Sequence, residues 1–128
     1  MNAKQRQLRH VDYIEHILDA TRQVHSYIAG TTKEVFMQDR KTQDAVILKI
    51  LVIGEAAAQI LGEHGTFAQQ RSDIPWNQMK GMRNRMVHGY FETNLDLVWE
   101  TVQVFLPDLE RKLQQADPAE GESKSDLQ

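Results

Sequence analysis

Apolar residues recur along the first part of the chain at intervals of three and four. Leu8, Val11, Ile14, Leu18, Val24 and Ile28 are separated by charged and amide side chains, which predicts an amphipathic helix from about Gln5 to Tyr27. Gly30 supplies its stop. Thr32 is placed to cap a short helical turn, and Asp39 to cap a second long helix running from about Arg40 to Glu63. Between Ala45 and Leu61 this second helix is apolar on nearly every side, so it belongs at the centre of a bundle or at a subunit interface. Gly54 and the run Ala56 to Ala58 leave it narrow enough for another backbone to come close.

The stretch "TFAQQRSDIPWNQ" reads as a linker with a helical turn in it, and Pro75 suits the first position of a third, shorter helix. A fourth helix starts near Asn94 and continues to about Gln115 on a stripe of Leu95, Val98, Val102, Phe105, Leu106 and Leu109. Pro107 falls inside that stripe and should kink or break the helix. Strand-like alternation and internal repeats are absent from the sequence. The expected architecture is all-α, an up-and-down helical bundle over residues 1–116. Residues 117–128 have no apolar period and are expected to form a disordered acidic tail.

The 128 residues are 41% hydrophobic and 26% charged, the balance of an ordinary globular domain large enough to bury a core. The lack of cysteine excludes disulfides and thiolate–metal sites and fits a reducing, cytoplasmic setting. The polar N-terminal stretch is not expected to be a signal peptide. Lys49 and Glu55 interrupt the longest apolar run, which therefore reads as a buried helix and not as a membrane span. A net charge of −3 argues against a surface coated for non-specific nucleic-acid binding. The distribution changes this picture. Residues 117–128 carry −3, whereas Arg71, Lys80, Arg83 and Arg85 against Asp73 give a local +3 between residues 71 and 88.

That cationic segment contains "KGMRNRMVHGYF", residues 80–91. Metal-free RNA cleavage requires a base for the ribose 2′-hydroxyl, an acid for the departing 5′-oxygen and positive charge at the phosphorane. Imidazole suits the proton transfers because its ordinary pKa, about 6.5, lies near working pH. Guanidinium suits the phosphorane because it stays charged and offers a fork of donors. Arg83 and His88 are of these types, but five residues along an α-helix leave two side chains roughly 140° apart. Distortion at Gly89 relieves this, or two copies of the helix meet across a two-fold axis, lining one cleft with two Arg83 and two His88. The dimer is preferred, because it also supplies a second imidazole for the acid role. A helix C-terminus favours the imidazolium form of His88, and the neighbouring arginines oppose it. Tyr90, just past the helix stop, either presents its hydroxyl or packs at the helix end.

"RNRMVHGY" resembles the Arg-x4-His-x-Tyr motif of the HepT-like ribonuclease toxins, a branch of the HEPN superfamily. "DAVILKILVIGEAAAQI" is similar to that family's central helix, and "DIPWNQMKGMRNRMVHGYFETNLDLVWETV" to its most distinctive block. The resemblance implies a helical homodimer with the active site at the dimer interface, acting as the toxin of a type VII-like toxin–antitoxin pair and cutting RNA without metal or cofactor. It puts Arg83 and His88 in the catalytic places, with Asn84 as the polar residue that follows the arginine. Tyr90 matches the tyrosine that a cognate minimal nucleotidyltransferase antitoxin modifies with AMP. Such a group would oppose RNA by charge and by volume. The rival reading is a non-catalytic nucleotide- or partner-binding subunit of a nucleotidyltransferase complex.

Glu55 stands in the apolar helix, where an unpaired carboxylate is costly. It either pairs with Arg83 or Arg85 and orients it, or fills a polar gap between helices. Arg71 and Lys80 are candidates for RNA phosphates and equally for ordinary surface charge. Trp76 and Trp99 read as core or interface anchors. His10, His16, His25 and His64 show no metal-ligand spacing, so no metal site is expected.

Overall fold

The computed structural model describes residues 8–88 and 94–115, and all regular structure among them is helical. Helix α1 spans His10–Ile28, α2 Lys33–Phe36, α3 Arg40–Glu63, α4 Gly65–Gln70 and α5 Trp76–His88. Helix α6 (Leu95–Glu100) passes through a π-helical turn (Thr101–Phe105) into α7 (Leu106–Gln114). The expected tail 117–128 lies outside the described residues.

Helix α1 starts later than its periodicity suggests. The Arg9 N–H donates to the Asp12 carboxylate at 3.0 Å, and the chain turns helical at His10. Leu8 thus stands ahead of the helix, with its carbonyl accepting a hydrogen bond from His64 Nε2 at 2.8 Å. Tyr13, Ile14, Ile17, Leu18 and Val24 form the buried stripe, and the buried Thr21 hydroxyl donates to the Ile17 carbonyl at 2.8 Å. Gly30 ends the segment at φ +74°, a conformation that strains any side chain with a Cβ. The Thr32 hydroxyl oxygen accepts from the Val35 N–H at 3.2 Å, and Asp39 accepts from the Thr42 N–H at 3.1 Å and its hydroxyl at 2.6 Å. These caps satisfy donors that the first turns of α2 and α3 leave open.

Helix α3 is the centre of the bundle, and α1 and α5 both lie along it. The Tyr13 hydroxyl donates to Glu63 at 3.0 Å, so α1 runs antiparallel to α3, its N-terminal end beside the end of α3. Although α3 is long and apolar enough to cross a membrane by length and composition, Val46, Ile50, Ile53, Ala57 and Ile60 are fully covered by neighbouring helices. Burying one such Val or Ile side chain contributes about 1.5–3 kcal/mol. Helix α5 turns Trp76, Met79, Met82 and Met86 to the core and Asn77, Gln78, Lys80, Asn84 and Arg85 to solvent. Trp76 is anchored by its indole N–H, which donates to the Arg71 carbonyl at 3.1 Å. Trp99 packs against Phe36 with ring centres 5.1 Å apart.

Pro107 has no N–H, and its ring crowds the carbonyl four residues back. The chain answers by widening before the proline. The Leu106 N–H donates to the Thr101 carbonyl, five residues back, and helical geometry continues from Leu95 to Gln114; of the expected kink or break, the break does not occur. Asn94 caps α6 by accepting from the Leu97 N–H at 3.1 Å. Helix α7 is tied to α1 through Glu110, which lies 3.7 Å from Arg22 and 3.5 Å from His25. Its C-terminal end meets the turn before α5, where Lys112 Nζ donates to the Asp73 carbonyl at 3.1 Å and Arg71 donates to the Lys112 carbonyl at 3.2 Å.

Candidate active site

The site begins with a residue that has no side chain. Helix α5 passes close against α3 at Gly54, where Met79 and Arg83 fill the space a Cβ would take. One residue along α3, Glu55 meets the guanidinium: Arg83 Nη1 donates to Glu55 Oε1 at 3.0 Å. The other carboxylate oxygen accepts from Gln59 Nε2, also at 3.0 Å and one helical turn away. Both Glu55 oxygens are therefore engaged, and Glu55 takes Arg83, not Arg85. The Arg83 side chain is 27% exposed and the Glu55 side chain 52%. Arg83 Nε is buried and has no hydrogen-bond partner among the described residues, which leaves an N–H donor unused.

This ion pair borders an open groove of about 390 Å³ between α1, α3 and α5. Leu51, Val52, Ala56 and Val87 give it apolar walls, and Tyr13, His16 and Gln59 give it polar ones. Trp76 at the start of α5 packs on Phe67, just past the end of α3, and Arg83 lies further back at Gly54 and Glu55, so α5 runs antiparallel to α3. Burial and the hydrogen bond to Glu63 push the Tyr13 phenol above its ordinary range, so it stays neutral and stays a donor at physiological pH.

The cationic segment does not form one surface. Two residues on an α-helix turn about 200°, so Arg83 and Arg85 leave α5 on different sides. Arg85 faces a second groove, of about 800 Å³, walled by Met82, Met86, Leu97 and Phe105. Arg71 is closed by Asp73, with contacts of 2.9 and 2.8 Å, and that guanidinium holds the Asp73 carboxyl below the usual range. Lys80 and Asn84 are exposed on α5. His88 is the last residue of α5, but its side chain, and the whole of Tyr90, lie outside the described residues.

Sequence reasoning missed Tyr13, His16 and Gln59 as neighbours of Arg83. The remaining histidines of α1 and α4's approach are engaged elsewhere: His10 stacks on Phe67 with ring centres 4.1 Å apart, His25 faces Glu110 and His64 bonds the Leu8 carbonyl. Among the described residues, no three His, Asp or Glu side chains converge as a metal-ligand set.

The bundle, all-α among the described residues with Arg83 beside a groove on its central helix, is consistent with the HEPN-like class. Residues 17–116 match the family described as ribonuclease HepT-like, and the chain belongs to that family. It is 34% identical over 105 residues to the "Probable ribonuclease HepT" of Thermococcus cleftensis, a match covering 82% of this chain and 93% of that protein. It is 31% identical over 103 residues to a "Putative RNase" of Caldanaerobacter subterraneus subsp. tengcongensis, with 80% and 89% of the two chains covered. No solved structure matches the chain.

Proposed function

We propose that this chain is an endoribonuclease that cuts RNA without a metal, works as a cytoplasmic homodimer and serves as the toxin of a type VII-like toxin–antitoxin pair. The observation that carries this reading is Arg83, a guanidinium bracketed by Glu55 at 3.0 Å at the edge of an open groove. Membership of a ribonuclease HepT-like family supports RNA as the substrate. Arg83 offers charge and a fork of donors to the pentacoordinate phosphorus, His88 takes the 2′-hydroxyl proton, and Asn84 positions the phosphate.

Two exposed apolar residues support the dimer. Leu48 is 56% exposed one turn before Val52 on α3, and Val87 is 55% exposed on α5. A second copy covering both would bring two Arg83 and two His88 to one cleft. Neutralisation belongs to Tyr90: an AMP placed there by a cognate nucleotidyltransferase would compete with RNA by charge and volume.

The test is cleavage of a fluorogenic oligoribonucleotide in EDTA by the wild type, Arg83→Ala and His88→Ala. Cleavage by the wild type and its loss in folded variants supports the reading. Failure of the wild type to cut any RNA would instead support a non-catalytic partner-binding subunit.

A further inference from the structure

The groove beside Arg83 has three kinds of polar wall, and two of them are already committed. Glu55 spends one oxygen on Arg83 Nη1 and the other on Gln59 Nε2, so it is no free proton acceptor. The Tyr13 phenol donates to Glu63, and burial holds it in its neutral form. His16 differs from both. It is exposed on α1, its ring stands edge-on to Tyr13 with centres 6.2 Å apart, and neither ring nitrogen has a hydrogen-bond partner among the described residues. His10, His25 and His64 each rest on a ring, a carboxylate or a carbonyl; His16 alone of these four faces the Arg83 groove.

The groove's volume, about 390 Å³, falls within the range of small-ligand sites. A phosphodiester lodged there would meet a guanidinium from α5 on one side and an imidazole from α1 on the other. Imidazole is the side chain whose charge changes between pH 5 and 8, which suits it to give up a proton to a leaving alkoxide at neutral pH.

We propose that His16 is a further catalytic residue of this site, the general acid that protonates the departing 5′-oxygen. The proposal rests on the ribonuclease reading above. In the step, the 2′-oxygen bonds to phosphorus as its proton passes to the base. The bond from phosphorus to the 5′-oxygen breaks, and the His16 imidazolium gives its N–H proton to that oxygen. The products are a 2′,3′-cyclic phosphate and a 5′-hydroxyl end, with no water, metal or oxidant consumed. The acid then comes from the same groove as the arginine and does not depend on a second His88.

The experiment compares the full chain, His16→Gln and His25→Gln on two oligoribonucleotides in EDTA. One is an all-oxygen substrate. The other carries a 5′-bridging sulfur at the scissile bond, whose thiolate leaves without protonation. The expected result is a fall of about 100-fold in kcat for His16→Gln on the oxygen substrate, with KM nearly unchanged and the alkaline limb of the pH–rate profile lost. The same variant should cut the sulfur substrate at close to the wild-type rate, and His25→Gln should match the wild type on both. A His16→Gln enzyme within threefold of wild type on the oxygen substrate overturns the proposal, as does an equal loss on both substrates. If the wild type cuts neither substrate, the ribonuclease reading itself has failed.

Discussion

A methyl group on Gly54 would stand 2.2 Å from the Arg83 Cβ and 2.8 Å from the Met79 carbonyl oxygen, closer than real side chains approach. The absent side chain is therefore what lets α5 lie against α3 at the point where Arg83 meets Glu55. Alanine would raise intrinsic helix propensity by about 0.5–1 kcal/mol, yet one of the clashing atoms is backbone and must move with its helix. Overpacking of this kind costs about 1–3 kcal/mol, so the steric effect wins. Gly54→Ala should melt several degrees below the wild type and lose RNA cleavage. An unchanged melting temperature in thermal circular dichroism would show that the two helices can separate without cost.

Glu55 should matter for the reaction more than for the fold. Its ion pair with Arg83 is half exposed, and such pairs contribute roughly 0–1 kcal/mol. Glu55→Gln keeps the shape but weakens the grip on the guanidinium. Chemical denaturation should give a stability within about 1 kcal/mol of wild type. The cleavage assay should give kcat lower by roughly 10- to 100-fold, the effect of a misplaced catalytic group. A variant as active as the wild type would show that Arg83 needs no bracket.

Stability should depend on pH through His10. Burial, followed by the neighbouring His64 and Arg9, lowers the His10 pKa from its ordinary 6.5, while Asp12 opposes the shift. The unfolded chain then binds the proton more readily than the folded one. Stabilisation is complete above about pH 6.5 and is lost as pH falls through the lower folded value. His10→Phe keeps an aromatic ring to stack on Phe67 and removes the proton. Between pH 7.5 and 5.5 its melting temperature should fall less than that of the wild type, and parallel curves would remove His10 as the cause.

If a second copy covers Leu48 and Val87, charging both should divide it. Leu48→Glu combined with Val87→Asp is expected to sediment as a folded monomer with little RNA cleavage. A dimeric double variant would place the contact on another face.

The Tyr90 proposal predicts a mass change. Co-expression with the cognate nucleotidyltransferase should add whole AMP units to the chain and suppress cleavage, and Tyr90→Phe should abolish both effects. Suppression of a Tyr90→Phe chain without added mass would point to neutralisation by binding alone.

Local chemistry made the helices legible before any packing was known. Thr32, Asp39 and Asn94 cap where their short polar side chains reach the next turn's N–H groups, and Gly30 takes the positive φ that ends α1. Helix α3 spans Arg40–Glu63, the limits expected from the Asp39 cap and the apolar run that follows it. These features depend on residues within four or five positions of one another. Pro107 marks the limit of that approach: its position foretold a disturbance, but the π-helical turn in place of a break appears only in the hydrogen bond from Leu106 to Thr101.

Arg83 and His88 were readable from residue type and spacing, Asn84 from the family resemblance alone, and Glu55 as a partner for Arg83 or Arg85; the rest of their surroundings was not. A run of four cations looked like one patch in the sequence; in the folded chain Asp73 closes Arg71, Glu55 brackets Arg83, and Arg85 turns to another groove. His16 stands 67 positions before Arg83 in the chain, with nothing between them to announce a shared wall. The sequence by itself determined that there would be helices, where they end and which faces are apolar, because those follow from short-range bonding and side-chain periodicity. Tertiary structure decided which polar residues meet, because the rotation of each helix about its axis is set by how side chains pack and by where, as at Gly54, one is missing.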